Sequence, residues 1–395
     1  MPCATAAGIL DIRFVTLKAD RYTDIVIFQT SFRFVVCLSV DSGVIGGNAD
    51  AELLAEIGIV LLDGVLVVTN QEYFVEATFP LVGVESFSAT VNAGLFLKLV
   101  SQITTPDIEL ETCENYLIVK GNGTYKLPMI FDGDKLLELP PIDINHVTTN
   151  FAIDADILNS ILVYNSKEIS KATAVTPVQK MYYVDELGAI TFTNGACVNE
   201  FVLPTNVKLL LNSRLVKLFK LFREGNVNFV LGHDALSDDI IQTKVQFSND
   251  TVKITAILSC DDALINKVPV VAIRKRANNT YPYSIVVDRN SMLQTINRIS
   301  IFNKGLHTVA KTYGVFEIGD CITVYDANKD NKETITISNK CDIPETYSMC
   351  LNLDDLRLIL ENCAESHICV NFGDHAAVVF VRGNIKNVIP EVRIK

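Results

Sequence analysis

One pattern occurs three times along the chain, and it constrains the fold more than any other feature of the sequence. In each copy, an apolar residue and an asparagine precede about three turns with an apolar stripe, then a polar break and an alternating segment. The copies begin at Asn92, Asn212 and Asn352, which lie 120 and 140 positions apart in a chain of 395 residues. This spacing indicates a repeat of whole domains rather than of short motifs.

The central copy shows how the pattern predicts structure. Its apolar residues follow the i, i+3, i+4, i+7 spacing of a helix that is buried on one side: Leu215, Leu218, Phe219 and Phe222. Asn212 or Ser213 can cap the start of this helix, and Gly225 stands where a helix-terminating glycine belongs. We therefore predict a helix over 212–224, followed by a strand.

The other two copies carry the same stripe. In the first copy it consists of Leu95, Phe96, Leu99, Val100 and Ile103, and in the third copy of Leu353, Leu356, Leu360 and Cys363. Alternating segments that are typical of strands follow both stripes, at 107–112 and 367–372. The repeat therefore predicts one helix and one following strand in each copy.

Each copy also has an earlier helical segment. The segments 154–170 and 288–304 both start with an aspartate that can cap a helix. For the first copy we assign this role to 19–32, while 33–50 is compatible with either strand or helix. The remaining sequence is rich in strand patterns, so each copy is expected to contain two helices and about six to eight strands.

Two helices on one face of an antiparallel sheet, repeated three times, give an α+β fold class. Polar and proline-containing stretches mark the joins and predict domains at 1–147, 148–281 and 282–395. No run of 18 uncharged apolar residues occurs, so a membrane span is not expected. The N-terminus lacks the pattern of a signal peptide, and the ten scattered cysteines are typical of reduced thiols in a cytosolic protein.

The charge argues against an ordinary nucleic-acid-binding module. The net charge is −12, and the three predicted domains carry −11 (8 basic, 19 acidic), +1 (14 and 13) and −2 (12 and 14). Such modules are usually basic, with a pI above about 9. Charge alone would exclude DNA as a partner.

Several short segments nevertheless resemble the bacterial-type sliding clamp family, the beta subunit of DNA polymerase III. The segments are "LIVKGNGTYKLPMIFDGDKLLELPPID", "ITFTNG" (190–195), "LINKVPVVAIRKR" (264–276), "LQTINRISIFNKG" (293–305) and the C-terminal "NVIPEVRIK". Their order and their coincidence with the threefold repeat carry the resemblance, which covers the chain from about residue 12. It implies a non-enzymatic processivity factor without cofactor, and a head-to-tail homodimer that closes as a ring around double-stranded DNA. DNA polymerase and a clamp loader would be its protein partners.

A ring of this kind also removes the charge objection. It holds DNA by topology, so only the inner helices need to be compatible with phosphate, and tight phosphate pairing would impede sliding. The residues that the resemblance and the helix faces assign to the channel are Lys98, Lys167, Lys171, Arg214, Lys217, Lys220, Arg223, Arg298 and Lys304. The helix 352–364 departs from this pattern because Asp354, Glu361 and Glu365 lie on its outward side.

The resemblance also implies a pocket that binds short apolar peptides of partner proteins. Carried across by motif, its wall consists of Thr193, Gly195, Val198, Pro269, Ile273, Arg274, Val378, Val388, Ile389, Pro390 and Val392. The family usually has His-Arg where this chain has Ala196-Cys197, so partner preference is expected to differ. The ring contact implied is Tyr125 and Leu127 against Ile301 and Phe302.

Other interpretations remain open at this point. The pocket residues could be plain core at a domain junction, the cationic helix faces could be ordinary solvated surface, and Ile301 with Phe302 could be core. A β-rich structural or virion assembly protein with three repeats is the alternative function, and a hydrolase with an unseen site is another. The low likeness to familiar clamps suggests a divergent, phage-like member.

Metal sites are not expected. Cys363, His367, Cys369 and His375 approach zinc spacing, but Cys363 belongs to the helix stripe. The segment 326–333 resembles a calcium loop but lacks the required glycine and glutamate, so we interpret it as a hairpin turn.

Overall fold

A computed structural model describes most of the chain. The described residues are 26–28, 33–35, 58–62, 65–69, 72–78, 88–105, 108–163, 177–192, 195–237, 240–258, 262–303, 312–339, 342–343, 346–374 and 376–392. The structural statements below concern these residues.

Strands dominate the structure. In chain order they are β1 Val26–Phe28, β2 Arg33–Val35, β3 Gly58–Leu62, β4 Val65–Thr69, β5 Tyr73–Thr78, β6 Ser88–Asn92, β7 Glu109–Cys113, β8 Tyr116–Lys120, β9 Thr124–Pro128, β10 Phe131–Asp132, β11 Lys135–Leu136, β12 Val147–Asp154, β13 Met181–Asp185, β14 Gly188–Phe192, β15 Ala196–Glu200, β16 Leu209–Asn212, β17 Asn226–Ser237, β18 Ile240–Ser248, β19 Val252–Leu258, β20 Tyr283–Asp288, β21 Tyr313–Ile318, β22 Cys321–Tyr325, β23 Lys332–Thr336, β24 Tyr347–Asn352, β25 His367–Phe372, β26 Ala377–Arg382 and β27 Ile385–Pro390.

The helices are fewer and mostly short. They are α1 Ala93–Gln102, α2 Ala155–Val163, α3 Ser213–Leu218, α4 Asp262–Ile265, α5 Val270–Ala277, α6 Arg289–Phe302 and α7 Leu353–Glu361, with 3-10 helices at Pro177–Lys180 and Phe219–Leu221.

The chain divides into two compact units, residues 1–156 with 218–259 and residues 157–217 with 260–395. The first unit contains an eight-stranded sheet in the order β12-β17-β18-β19-β5-β4-β3-β6 and a three-stranded sheet β7-β8-β9. The second contains an eight-stranded sheet in the order β16-β13-β14-β15-β27-β26-β25-β20 and a four-stranded sheet β23-β22-β21-β24. All the strand pairs in these sheets are antiparallel.

Both eight-stranded sheets run across a predicted domain join. In the first unit, β5 pairs with β19, so Ala77 lies opposite Val252. In the second unit, β15 pairs with β27, so Ala196 lies opposite Val388. The domains 1–147, 148–281 and 282–395 remain a prediction from the repeat, because the two compact units do not coincide with them.

The repeated helix starts are built as the sequence predicts. The Asn92 side chain accepts a hydrogen bond from the Leu95 N–H (2.9 Å), and the Asn212 side chain accepts one from the Leu215 N–H (2.8 Å). Asn352 accepts from two N–H groups at the start of α7 (2.9 and 3.1 Å). In each copy the asparagine ends a strand and satisfies donors that the first helical turn leaves without partners.

The earlier helices start on the predicted aspartates. Asp154 accepts a hydrogen bond from the Asp156 N–H (2.7 Å) at α2, and Asp288 accepts one from the Ser291 N–H (2.7 Å) at α6. The prediction of a helix over 19–32 is wrong at Val26–Phe28, which forms a hairpin with Arg33–Val35. β-Branched and aromatic residues favour this extended pairing. The rest of 19–50 lies outside the described residues.

The apolar stripes lie in the cores with one exception. Leu215, Leu218, Phe219 and Phe222 are buried, as are Leu353, Leu356, Leu360 and Cys363. Leu95 in the first copy is 48 % exposed, although it belongs to the predicted stripe. The central helix is also shorter than predicted, because α3 passes into the 3-10 helix at Phe219. Gly225 has φ +80°, the left-handed conformation that favours glycine.

Candidate functional site

The predicted peptide-binding residues converge on the centre of the second unit's large sheet. There β15 and β27 lie side by side, although they are nearly 200 positions apart in the sequence. Val198 on β15, Val388 on β27 and Ile273 on α5 belong to one buried apolar cluster. The structure therefore places three predicted pocket residues together.

Gly195 allows the two strands to approach closely. A Cβ atom at this position would lie 2.6 Å from the Val388 carbonyl oxygen, which is closer than real side chains come. The neighbouring Ala196 packs against the same apolar cluster, and Cys197 is fully buried. The small pair Ala196-Cys197 therefore stands, partly and fully buried, where the family usually has His-Arg.

Helix α5 covers this part of the sheet. Ile273 is 9 % exposed and Ala277 is buried, so both face the cluster, while Pro269 at the helix start is exposed. Partly buried apolar side chains surround the cluster: Met181, Phe192, Ala196, Leu264, Ile265, Val270, Tyr281 and Val381. This half-buried rim is the apolar surface that a peptide side chain could contact.

Val378 and Ile389 lie on the other side of the sheet. They pair with each other across β26 and β27 and belong to the cluster beneath α6 and α7. Consecutive residues of a strand point to opposite faces, so Val388 and Ile389 cannot line one cleft. The prediction that Ile273, Val378 and Ile389 share a cleft is therefore corrected by the structure.

The remaining pocket residues are placed less centrally. Pro390 is exposed at the end of β27. Val392 is half-buried, and its N–H donates to the Cys350 carbonyl (2.9 Å) at the edge of β24. Thr193 lies outside the described residues.

Arg274 is held by a residue that the sequence did not single out. Its guanidinium donates to both carboxylate oxygens of Asp185 at the end of β13, at 2.7 and 2.5 Å. Burial opposes the positive charge, but this pairing outweighs it and raises the pKa of Arg274. Burial, together with the charge of Asp185, raises the pKa of the neighbouring Tyr183. No local signal links Asp185 to Arg274, because 89 positions separate them.

Most of the described basic residues that the sequence assigns to a DNA channel lie on the surface of the chain. Lys98, Arg214, Lys220 and Arg223 are exposed, and Lys217 is half-buried. Lys167, Lys171 and Lys304 lie outside the described residues. Their role towards DNA stays a prediction.

Arg298 on α6 is already paired. It donates to both carboxylate oxygens of Glu333 (2.9 and 2.5 Å), which also accepts from Thr295. This pairing neutralises its charge locally, so we expect it to contribute less to phosphate binding than a lone cation.

Helix α7 carries acidic groups on its outer side. Asp354 and Glu361 are exposed, and burial together with Asp354 raises the pKa of Asp355 to about 6. Arg357 joins α7 to α6 by donating to Asn297 (2.8 Å) and to another side chain of α6. The acidic departure seen in the sequence is therefore present on the folded helix.

The residues assigned to ring closure differ in exposure. Ile301 and Phe302 end α6 and are 57 and 55 % exposed, and Tyr125 on the edge strand β9 is 38 % exposed. Leu127 is 4 % exposed and packs in the core of the first unit. Its side chain therefore belongs to the inside of the chain, and the available surface consists of the other three.

The cysteine- and histidine-containing segment forms no metal-binding arrangement among the described residues, which exclude His375. The Cys363 thiol instead donates to the carboxylate of Glu365 (3.1 Å). Asp326 in the calcium-like segment accepts hydrogen bonds from three groups of its own turn, and this turn joins the antiparallel strands β22 and β23 as a hairpin. No helix of the described part is long and apolar enough to cross a membrane.

Comparison with solved structures shows what fold these sheets and helices form. The chain is similar to the sliding clamp of Pseudomonas aeruginosa bound to griselimycin, with a TM-score of 0.67 and 14 % identity over 89 % of this chain and 95 % of that one. The beta subunit of Thermotoga maritima gives 0.65 with 13 % identity over 89 and 94 %. The clamp of Bacillus subtilis gives 0.64 with 16 % identity over 89 and 94 %.

The chain has the sliding-clamp fold. Each match spans nearly the whole length of this chain and of the chain it is compared with, so it includes all three copies of the sequence repeat. No model of a protein family and no curated protein matches the sequence. The clamp fold is thus preserved at an identity that sequence comparison does not detect.

Proposed function

We propose that the chain is a DNA sliding clamp, a processivity factor that encircles double-stranded DNA and tethers a polymerase. The observation that carries this proposal is the clamp fold over about nine-tenths of the chain. A repeat that builds equivalent domains is what a ring around a helical polymer requires. The three-repeat structural or virion assembly protein is not favoured by any observation on this fold.

The proposed clamp acts as a head-to-tail homodimer. Each chain contributes the three domains 1–147, 148–281 and 282–395, so the ring contains six domains. Tyr125 from one chain would meet Ile301 and Phe302 of the other. The apolar surface of these side chains is exposed to water in the single chain, so burying it against a second chain would be favourable. The protein would be non-catalytic and cytosolic, and would need no cofactor.

DNA polymerase and a clamp loader are its proposed protein partners. They would bind through the apolar rim around Val198, Ile273 and Val388, which is the part of the predicted pocket that the fold brings together. A Leu or Phe side chain of a partner peptide would contact the partly buried apolar side chains of that rim, which include Phe192 and Val270. The low identity to bacterial clamps is consistent with a divergent, phage-like member.

The mass of the particle tests this proposal. Sedimentation at low micromolar concentration should give twice the chain mass of 43.6 kDa. Negative-stain images of that fraction should show a ring with a central hole. A compact monomer, or a large open polymer, would refute it.

A further inference from the structure

Helix α5 covers the apolar cluster around Val198 and Val388, and little within the helix itself stabilises it. Below, an anchor is an ion pair that joins α5 to the sheet. It contains eight residues, and Pro269 at its start provides no side-chain hydrogen bond to the first turn. Helices of this length are marginal in water, so tertiary contacts must hold it. Ile273 and Ala277 supply the apolar part of these contacts.

The first polar anchor connects α5 to β13. Asp185 is 3 % exposed and accepts two hydrogen bonds from Arg274, in the fork-to-fork geometry that gives charge-assisted pairs their directionality. Asp185 is itself fixed, because it also accepts from the Leu187 N–H (2.9 Å) in the β13–β14 turn. The guanidinium is therefore bound to a carboxylate that cannot move freely.

The second polar anchor connects α5 to the other half of the sheet. Arg276 is paired with Asp374 in the β25–β26 turn. Asp374 accepts from the N–H groups of Ala376 and Ala377 (3.0 and 3.1 Å). Burial opposes ionisation of Asp374, but these hydrogen bonds and Arg276 outweigh it and lower its pKa.

The two anchors lie on opposite sides of the junction between β15 and β27. The strand order places β13 on one side of that junction and β25–β26 on the other. A short helix tied at both sides cannot slide along the sheet or lift from it without breaking an ion pair. Ile273, which precedes Arg274, is thereby held over Val198 and Val388.

We propose that Asp185 and Asp374 are positioning residues of the peptide-binding pocket, which act through Arg274 and Arg276 to keep α5 in the binding-competent position. This inference rests on the proposed function. Neither carboxylate needs to touch the peptide. Their effect is on the fraction of molecules whose pocket is ready to bind, and the apparent affinity falls in proportion to that fraction.

The variants Asp185→Asn and Asp374→Asn remove one anchor each while keeping the side-chain shape. Asp374→Asn is the safer variant for folding, because the side chains of its ion pair are more exposed to solvent. The exposed fractions of the side chains are 41 and 20 % for Arg276 and Asp374, against 17 and 5 % for Arg274 and Asp185. Asp354→Asn is the matched control, since it removes a carboxylate from an Arg–Asp pair on α7.

The probe is a fluorescein-labelled hexapeptide that ends in Leu-Phe, mixed with the full-length protein in a stopped-flow anisotropy instrument. For each of the two variants we expect the peptide dissociation constant to rise about tenfold. The association rate constant should fall by this factor, while the dissociation rate constant should stay within about twofold of wild type. A residue that contacted the peptide would instead speed dissociation. The control should behave as wild type.

Hydrogen exchange gives a second readout without peptide. The Ile273 and Asn278 amides, which donate to the Pro269 and Arg274 carbonyls, should exchange faster in both variants and unchanged in the control. Wild-type peptide affinity together with unchanged exchange in both variants would overturn the proposal. So would a loss of affinity carried by faster dissociation.

The outcome also separates this inference from the proposed function. If the wild-type chain formed no ring, the clamp function would fail while the rates and the exchange pattern still decided the role of the two carboxylates. If wild type did not bind the hexapeptide, the pocket assignment would fall, and unchanged exchange would then refute the anchoring as well.

Discussion

The double variant Ile301→Ala with Phe302→Ala should convert the proposed dimer to a folded monomer. Both side chains end α6 and are more than half exposed (57 and 55 %) in the single chain. The next residue, Asn303, holds this end of the helix, because its side chain donates to the Tyr313 carbonyl (2.9 Å) and accepts from the Ala327 N–H (3.0 Å). The apolar pair is therefore presented on a fixed support.

The size of the effect follows from the exposed area. Complete burial of an Ile or Phe side chain contributes about 1.5–3 kcal/mol, so burial of the exposed half contributes about 0.8–1.5 kcal/mol. A head-to-tail dimer has two equivalent contacts, so the variant removes four side chains and about 3–6 kcal/mol in total. Since every 1.4 kcal/mol is a factor of ten, the dimer dissociation constant should rise about 100- to 10,000-fold.

Sedimentation velocity across a nanomolar to micromolar series measures this constant. Val202→Ala is the matched control, because Val202 is 79 % exposed in the segment after β15 and has no assigned role. The thermal transition of the monomeric unit should persist in both proteins. An unchanged dissociation constant in the double variant would show that α6 does not close the ring.

Three further substitutions test the site and its surroundings. Burial and the charge of Asp354 raise the pKa of Asp355 to about 6, above an unfolded value of about 3.9. The folded protein should therefore lose stability as the pH rises from about 4 to about 6. In urea unfolding, Asp355→Asn should raise the free energy of unfolding by about 1–3 kcal/mol at pH 8 and leave it unchanged at about pH 3.5. Equal gains at both pH values would contradict this. Gly195→Ala places a Cβ 2.6 Å from the Val388 oxygen and should cost about 1–3 kcal/mol of unfolding free energy, whereas wild-type stability would disprove the close approach. Ile273→Asp puts a carboxylate at a site only 9 % exposed and should cost about 3 kcal/mol or more, so a normal melting temperature would show that Ile273 is surface.

The parts of the fold that depend on neighbouring residues could be predicted from the sequence. Asn92, Asn212 and Asn352 cap helices because an asparagine before an apolar stripe satisfies the first N–H groups wherever it occurs. The repeat of that signal was enough to predict two-layer α+β domains. The same local rules place Asp154 and Asp288 at helix starts.

The local sequence does not predict which core a strand residue packs in, or which distant residues a folded sheet brings together. The family resemblance assigns Val388 and Ile389 to one cleft, but consecutive side chains of β27 point to opposite faces and pack in different cores. The resemblance also assigns Leu127 to the ring contact, but its side chain packs in the core of the first unit. The Arg274–Asp185 pair joins residues from separate parts of the chain, and only the folded sheet brings them together.

Retention on DNA tests the central claim most directly. The protein is loaded at low salt on nicked circular duplex and on the same duplex cut once, and both are passed over a sizing column in high salt. A closed ring held by topology should stay on the circle and leave the linear duplex through its ends, because salt weakens phosphate contacts without opening the ring. Equal loss from both DNAs as salt increases would mark an ordinary phosphate binder and contradict the sliding-clamp account.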